Sequence, residues 1–191
     1  MNIKIIKIFG LQRSGTNLMD LLIPLNFNVE TCKRNNEESD YLGWKHSNPK
    51  HDNSYKAIEE ITKDEIYFIF CYREKSEWLK TMCEKHLGNF ETPLLWDFTK
   101  NTNNFILATP CGPEIYNDLE EYYNIRLDNY HRFINQNESK SILINFTDLK
   151  NNQELILENI KNKFNLQKIN ENYITIKKKI NCHGEITSEI L

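Results

Sequence analysis

Long hydrophobic runs are missing from this chain of 191 residues. None approaches the ~18 consecutive apolar positions that a membrane-spanning helix needs. A signal peptide is missing too: the start, Met1 to Phe9, alternates like a strand and has no small-residue cleavage site. Cysteine pairs are equally scarce. The five cysteines (Cys32, Cys71, Cys83, Cys111 and Cys182) are scattered, and no two stand at the C-x2-C spacing of a structural zinc site. An odd, scattered set in a chain without a secretion signal is expected to stay reduced. A basic surplus is absent: 24 Lys and Arg against 27 Asp and Glu give a formal charge of −3, which argues against a general nucleic-acid binder. Alanine occurs only at Ala57 and Ala108, which we read as base composition with no functional weight. These absences exclude membrane, secreted and fibrous classes. They predict a cytoplasmic protein with neither a membrane nor nucleic acid as partner. What is present, 39% hydrophobic and 12% aromatic residues, suffices to bury the core of one domain spanning 1–191.

Periodicity gives the order of elements. Residues 3–9 read as a strand bounded by Gly10, and apolar positions from Thr16 to Ile23 read as a helix that Pro24 ends. The polar stretch 30–40 reads as a loop, and 41–46 as a short extended segment stopped by Ser47-Asn48-Pro49. Residues 54–62 suit a short helix. The run Ile66 to Tyr72 is continuously apolar, as expected of a central parallel strand covered on both faces. A helix over 76–86 follows. Residues 87–113 hold Pro93, Pro110 and Pro113 and read as an irregular insert. A helix over 114–135, a strand over 141–146 and a helix over 151–164 complete the order, the last with Leu155, Ile156, Ile160 and Phe164 on one face. Strands alternating with helices predict an α/β domain: three layers, α/β/α, around a mostly parallel sheet.

The most informative segment is Gly10-Leu11-Gln12-Arg13-Ser14-Gly15-Thr16-Asn17. It joins a strand to a helix and carries two glycines four residues apart, the framework of a loop whose N–H groups cradle a phosphate. In the triphosphatase version a Lys follows the second glycine, and a hydroxyl residue after it binds magnesium. Here those positions are Thr16 and Asn17, and Tyr72-Arg73 stands where a second magnesium contact would end the next strand. An anion site is retained while a magnesium–triphosphate site is disfavoured.

These residues resemble the 5′-phosphosulfate loop of the sulfotransferases, and the Arg-Ser-Gly-Thr core is similar to the tyrosylprotein and Golgi-type branches. The resemblance implies a P-loop type fold and binding of 3′-phosphoadenosine 5′-phosphosulfate through Gly10 to Asn17, without a metal. It implies as well that a strand-ending Arg and a hydroxyl eight positions later bind the 3′-phosphate; Arg73 and Thr81 match that spacing. A guanidinium at a strand end and a hydroxyl two helical turns in can share one phosphate. Glu74-Lys75 departs from the Asn/Asp-Pro usual in the family, and Ser76 is an alternative hydroxyl. The late strand and the turn Phe146-Thr147-Asp148-Leu149 look like the Tyr-Glu-Asp-Leu-type turn of the family. The similarity spans roughly residues 3–166.

Sulfuryl transfer needs donors around the moving group and a base for the acceptor proton. Arg13 and the loop N–H groups suit the first role, and Lys45 is a second cation. His46 is the preferred base, because an unperturbed imidazole with a pKa of about 6.5 works near neutrality. Trp44-Lys45-His46 stands where the cytosolic family places Lys-Thr-His, although Lys and His are adjacent here. Glu37 and Glu38 remain rival bases, since other branches use Glu. Trp78 is expected in the core, and Lys177-Lys178-Lys179 on a solvated face. The acceptor implied is a hydroxyl or amine of a small molecule or glycan.

Overall fold

Strand β3 (Glu65–Tyr72) occupies the middle of the sheet, as its apolar run requires. It pairs in parallel with β1 (Lys4–Gly10) on one side and β6 (Ser141–Asn145) on the other. A two-residue strand, β2 (Glu30–Thr31), adds to the outer edge of β1, giving a parallel sheet in the order β2-β1-β3-β6. The computed structural model describes residues 3–32, 42–86, 105–109 and 112–177. Within them lie the helices α1 (Thr16–Asn26), α2 (Ser54–Thr62), α3 (Lys75–His86), α4 (Leu119–Gln136), α5 (Phe146–Asn151) and α6 (Gln153–Phe164). No helix among the described residues is long and apolar enough to cross a membrane.

Successive side chains of a strand face opposite ways, so one apolar run builds two cores. Phe9 from β1 and Ile66, Phe68 and Phe70 from β3 pack with Trp78 of α3 and Tyr122, Tyr130 and Phe133 of α4. Ile6, Ile8, Ile69 and Cys71 face the other way, onto Met19 and Leu22 of α1 and Leu157, Ile160 and Phe164 of α6. Helices therefore cover both faces of the sheet.

Several elements differ from the sequence reading. Helix α1 runs through Pro24 to Asn26. The proline removes one N–H, but the last turn is closed by Phe27 N–H on the Ile23 carbonyl and by the Asn26 amide on the Leu22 carbonyl, 2.9 Å away. The loop at 30–40 begins as strand β2, held by Ile5 and Ile6. Residues 42–46 form a turn and not an extended segment. The helix read from 114 starts at Leu119, where the Asp118 carboxylate accepts the Glu121 N–H at 2.7 Å. Gly112–Tyr116 is instead a strand, β5, antiparallel to β4 (Phe105–Thr109) within and just beyond the insert. The strand read to 146 stops at Asn145, whose side chain caps α5 through the Thr147 N–H. On α6 the buried face is Gln153, Leu157, Ile160 and Phe164, while Leu155 is 60% exposed.

Candidate anion site at the glycine loop

Strand β1 hands the chain to α1 through residues 11–15, and both glycines there are required by close packing. A Cβ on Gly10 would stand 2.6 Å from the Cys71 carbonyl oxygen of the neighbouring strand. Gly15 has a left-handed φ of 91°, and a Cβ on it would stand 2.4 Å from Cδ2 of Phe146. Arg13 also takes a positive φ, 64°, a conformation few L-residues adopt and one that recurs where a ligand is held.

The loop is tied down from behind. The buried Ser14 hydroxyl lies within reach of the Leu11 carbonyl and of the Cys71 carbonyl at 2.9 Å. Trp78 Nε1 donates to the Gln12 carbonyl at 2.8 Å, and the Tyr122 hydroxyl donates to Gln12 Oε1 at 2.6 Å. Leu11, Gln12, Ser14 and Thr16 are thus buried. Among the described residues, the N–H groups of Arg13, Gly15 and Thr16 reach no backbone carbonyl, and α1 has no side-chain cap. Donors at an uncapped helix start favour an anion.

Arg73 leaves the C-terminal end of β3 beside this loop. Its Nη1 donates to Thr81 Oγ1 at 2.6 Å, and the Thr81 hydroxyl in turn donates to the Glu77 carbonyl at 2.8 Å. The guanidinium lies 4.2 Å from the centre of the Phe146 ring, the ring that also abuts Gly15. Phe146 therefore touches both Arg73 and the second glycine of the loop. Burial lowers the Arg73 pKa, the Glu77 carboxylate opposes that, and the nearby Arg13 charge lowers it further. Arg73 Nε is buried with no hydrogen-bond partner. Two guanidiniums that feel each other, one with an unused donor, are relieved by an anion between them.

The turn at 42–46 brings the remaining candidates to the loop. Lys45 Nζ donates to Asn17 Oδ1 and to Asp20 Oδ2 at 3.1 Å, and its carbonyl accepts the Gly10 N–H at 2.9 Å. His46 Nδ1 lies 2.7 Å from the Gly10 carbonyl oxygen. A carbonyl only accepts, so Nδ1 donates to it. Trp44 meets the His46 ring edge-on at 5.0 Å.

Sequence reasoning missed three supports. Lys7 is buried in β1 and donates to the Gly43 carbonyl, anchoring the turn; a Lys sharing a strand face with Ile5 and Phe9 was the available signal. Phe146 was read only as part of a turn, and Tyr122 only as part of a helix. Trp78 is fully buried, in the core as expected. His51 contacts Gln136 and Phe133, His131 is exposed, and Lys177 is exposed. Glu37, Glu38, Lys178, Lys179 and His183 lie outside the described residues, as does the side chain of His86. No protein-family model, curated protein or solved structure matches this chain.

Proposed function

We propose that this protein is a sulfotransferase of P-loop type. It moves a sulfuryl group from 3′-phosphoadenosine 5′-phosphosulfate to a hydroxyl or amine of a small-molecule or glycan acceptor. The observation that carries the reading is the Arg73–Thr81 contact of 2.6 Å, standing across Phe146 from the glycine loop. It supports a second anion position beside the loop, formed by the Arg and the hydroxyl whose eight-residue spacing matches the family pattern.

In this reading the 5′-phosphosulfate rests on the N–H groups of Arg13, Gly15 and Thr16 and on the Arg13 side chain, and the 3′-phosphate on Arg73 and Thr81. The acceptor oxygen attacks sulfur in line, the S–O bond to the 5′-phosphate breaks, and the bisphosphate leaves with the bonding pair. Arg13, Lys45 and the loop N–H groups face the charge that develops. The acceptor proton passes to His46 Nε2. The position that binds magnesium in triphosphatases is Asn17, and its amide oxygen already receives the Lys45 ammonium, which favours a metal-free phosphosulfate over a magnesium-bound triphosphate.

The test is calorimetric titration with 3′-phosphoadenosine 5′-phosphate. Arg13→Ala is expected to abolish binding, and unchanged affinity would remove Arg13 from the site.

A further inference from the structure

One stripe of α4 carries a second, internal cluster. Tyr122, Arg126 and Tyr130 are spaced four residues apart, share one face, and are all fully buried. The Arg126 guanidinium lies 5.4 Å from the centre of the Tyr122 ring. Its Nη2 donates to Glu114 Oε2, which also accepts the Tyr116 hydroxyl at 2.5 Å, and the Tyr122 hydroxyl interacts with the guanidinium. Arg126 Nε and Nη1, the Tyr130 hydroxyl and Gln12 Nε2 are all buried without a hydrogen-bond partner. Tyr122 links these groups, since its hydroxyl bonds the same Gln12 amide.

Such a set is costly unless something accepts its hydrogens. Three of the four atoms are donors only. The Tyr130 hydroxyl, whose pKa burial pushes far up, keeps its proton and can donate as well. Burial works against the Arg126 charge, but Tyr122, Tyr130 and Glu114 outweigh it and keep the guanidinium protonated. A water there offers two lone pairs to these donors and brings two hydrogens of its own. An oxyanion brings several lone pairs and no hydrogen. The Glu114 side chain is 30% exposed, whereas that of Arg126 is fully buried.

We propose that Arg126, Tyr130 and Gln12 form an oxyanion site for an acidic substituent, a carboxylate or sulfate, of a small ligand. Glu114 marks the side on which the cluster meets solvent. Gln12 belongs to the glycine loop, so the site adjoins the anion site already described. On the sulfotransferase reading, and resting on it, the ligand is the acceptor, and acidic acceptors are preferred.

The chain has five arginines, so their Nε–H signals can be resolved by nitrogen-15 NMR. The full-length protein is titrated with sodium sulfate and with sodium acetate, each against sodium chloride at matched ionic strength. The Arg126 signal is expected to shift saturably with sulfate, acetate or both. The responding arm tells a sulfate-like from a carboxylate group, and Tyr130→Phe, which removes one oxygen, is expected to weaken the response at least threefold. An Arg126 signal that moves equally in chloride, or does not saturate, overturns the proposal and leaves water in the cluster. An unchanged dissociation constant in Tyr130→Phe overturns it as well. Because the readout is Arg126 and not Arg13 or Arg73, its failure leaves the phosphosulfate reading standing, and failure of that reading leaves this site standing.

Discussion

Phe146 fills the space in which a side chain on Gly15 would sit, with its Cδ2 2.4 Å from the position of a Gly15 Cβ. The same ring stacks beneath the Arg73 guanidinium. Loop geometry and cation placement are therefore mechanically joined.

Gly15→Ala should lose stability by two routes, a left-handed φ and a clash with Phe146. We expect a cost of about 1–3 kcal/mol in urea unfolding from backbone strain alone, with more from the clash. In a Phe146→Leu background the cost should fall but not vanish, because the strain remains. An additive double-mutant cycle would show that the ring does not constrain residue 15.

Thr81→Val should leave folding intact, since valine keeps the shape of this half-buried helical side chain, while removing the hydroxyl that Arg73 holds. Hydrogen bonds to charged groups contribute roughly 1.5–3 kcal/mol, so bisphosphate affinity should drop about tenfold or more by calorimetry. Equal affinity would place the 3′-phosphate elsewhere.

His46→Asn keeps a donor facing the Gly10 carbonyl but has no lone-pair nitrogen to take a proton. Bisphosphate binding should persist while turnover falls by roughly 100-fold or more. Loss of binding instead would make His46 a support of the loop and not the base.

The Glu158 carboxyl is held down at about 2, first by the Lys161 hydrogen bond and then by the Tyr173 hydroxyl. A folded-state pKa below the ordinary value means stability that is complete above that ordinary value, near 4.5, and is lost as pH falls toward 2. Glu158→Gln should therefore differ most from the native chain above pH 5 and converge with it in strong acid. A gap that widens on acidification would reverse the sign.

The parts of the fold visible in the sequence are those that short-range patterns control. The apolar run at 66–72 announced a central strand because both its faces are covered, and the two glycines announced the turn after β1. Arg73 and Thr81, singled out by their resemblance to the family pattern as sharing a phosphate, stand in direct contact. Long-range contacts hid the rest. Pro24 ended nothing, because Asn26 and Phe27 close the turn after it. Glu114 to Tyr116 read as helix, yet their backbone pairs with β4. Leu155 and Leu157 have equal hydropathy, and only the sheet above α6 decides that Leu157 is inside. The tethers on Gln12 come from Trp78 and Tyr122, 66 and 110 residues away, which no local motif records.

Thermal unfolding with 3′-phosphoadenosine 5′-phosphate, and separately with ATP, each with and without magnesium, tests the phosphosulfate reading most directly. At ~100 times its dissociation constant the bisphosphate should add about 2.7 kcal/mol of stability. For a chain of this length that raises the midpoint by roughly 5–11 °C, and magnesium should make no difference. Stabilisation by ATP with magnesium and none by the bisphosphate would contradict it.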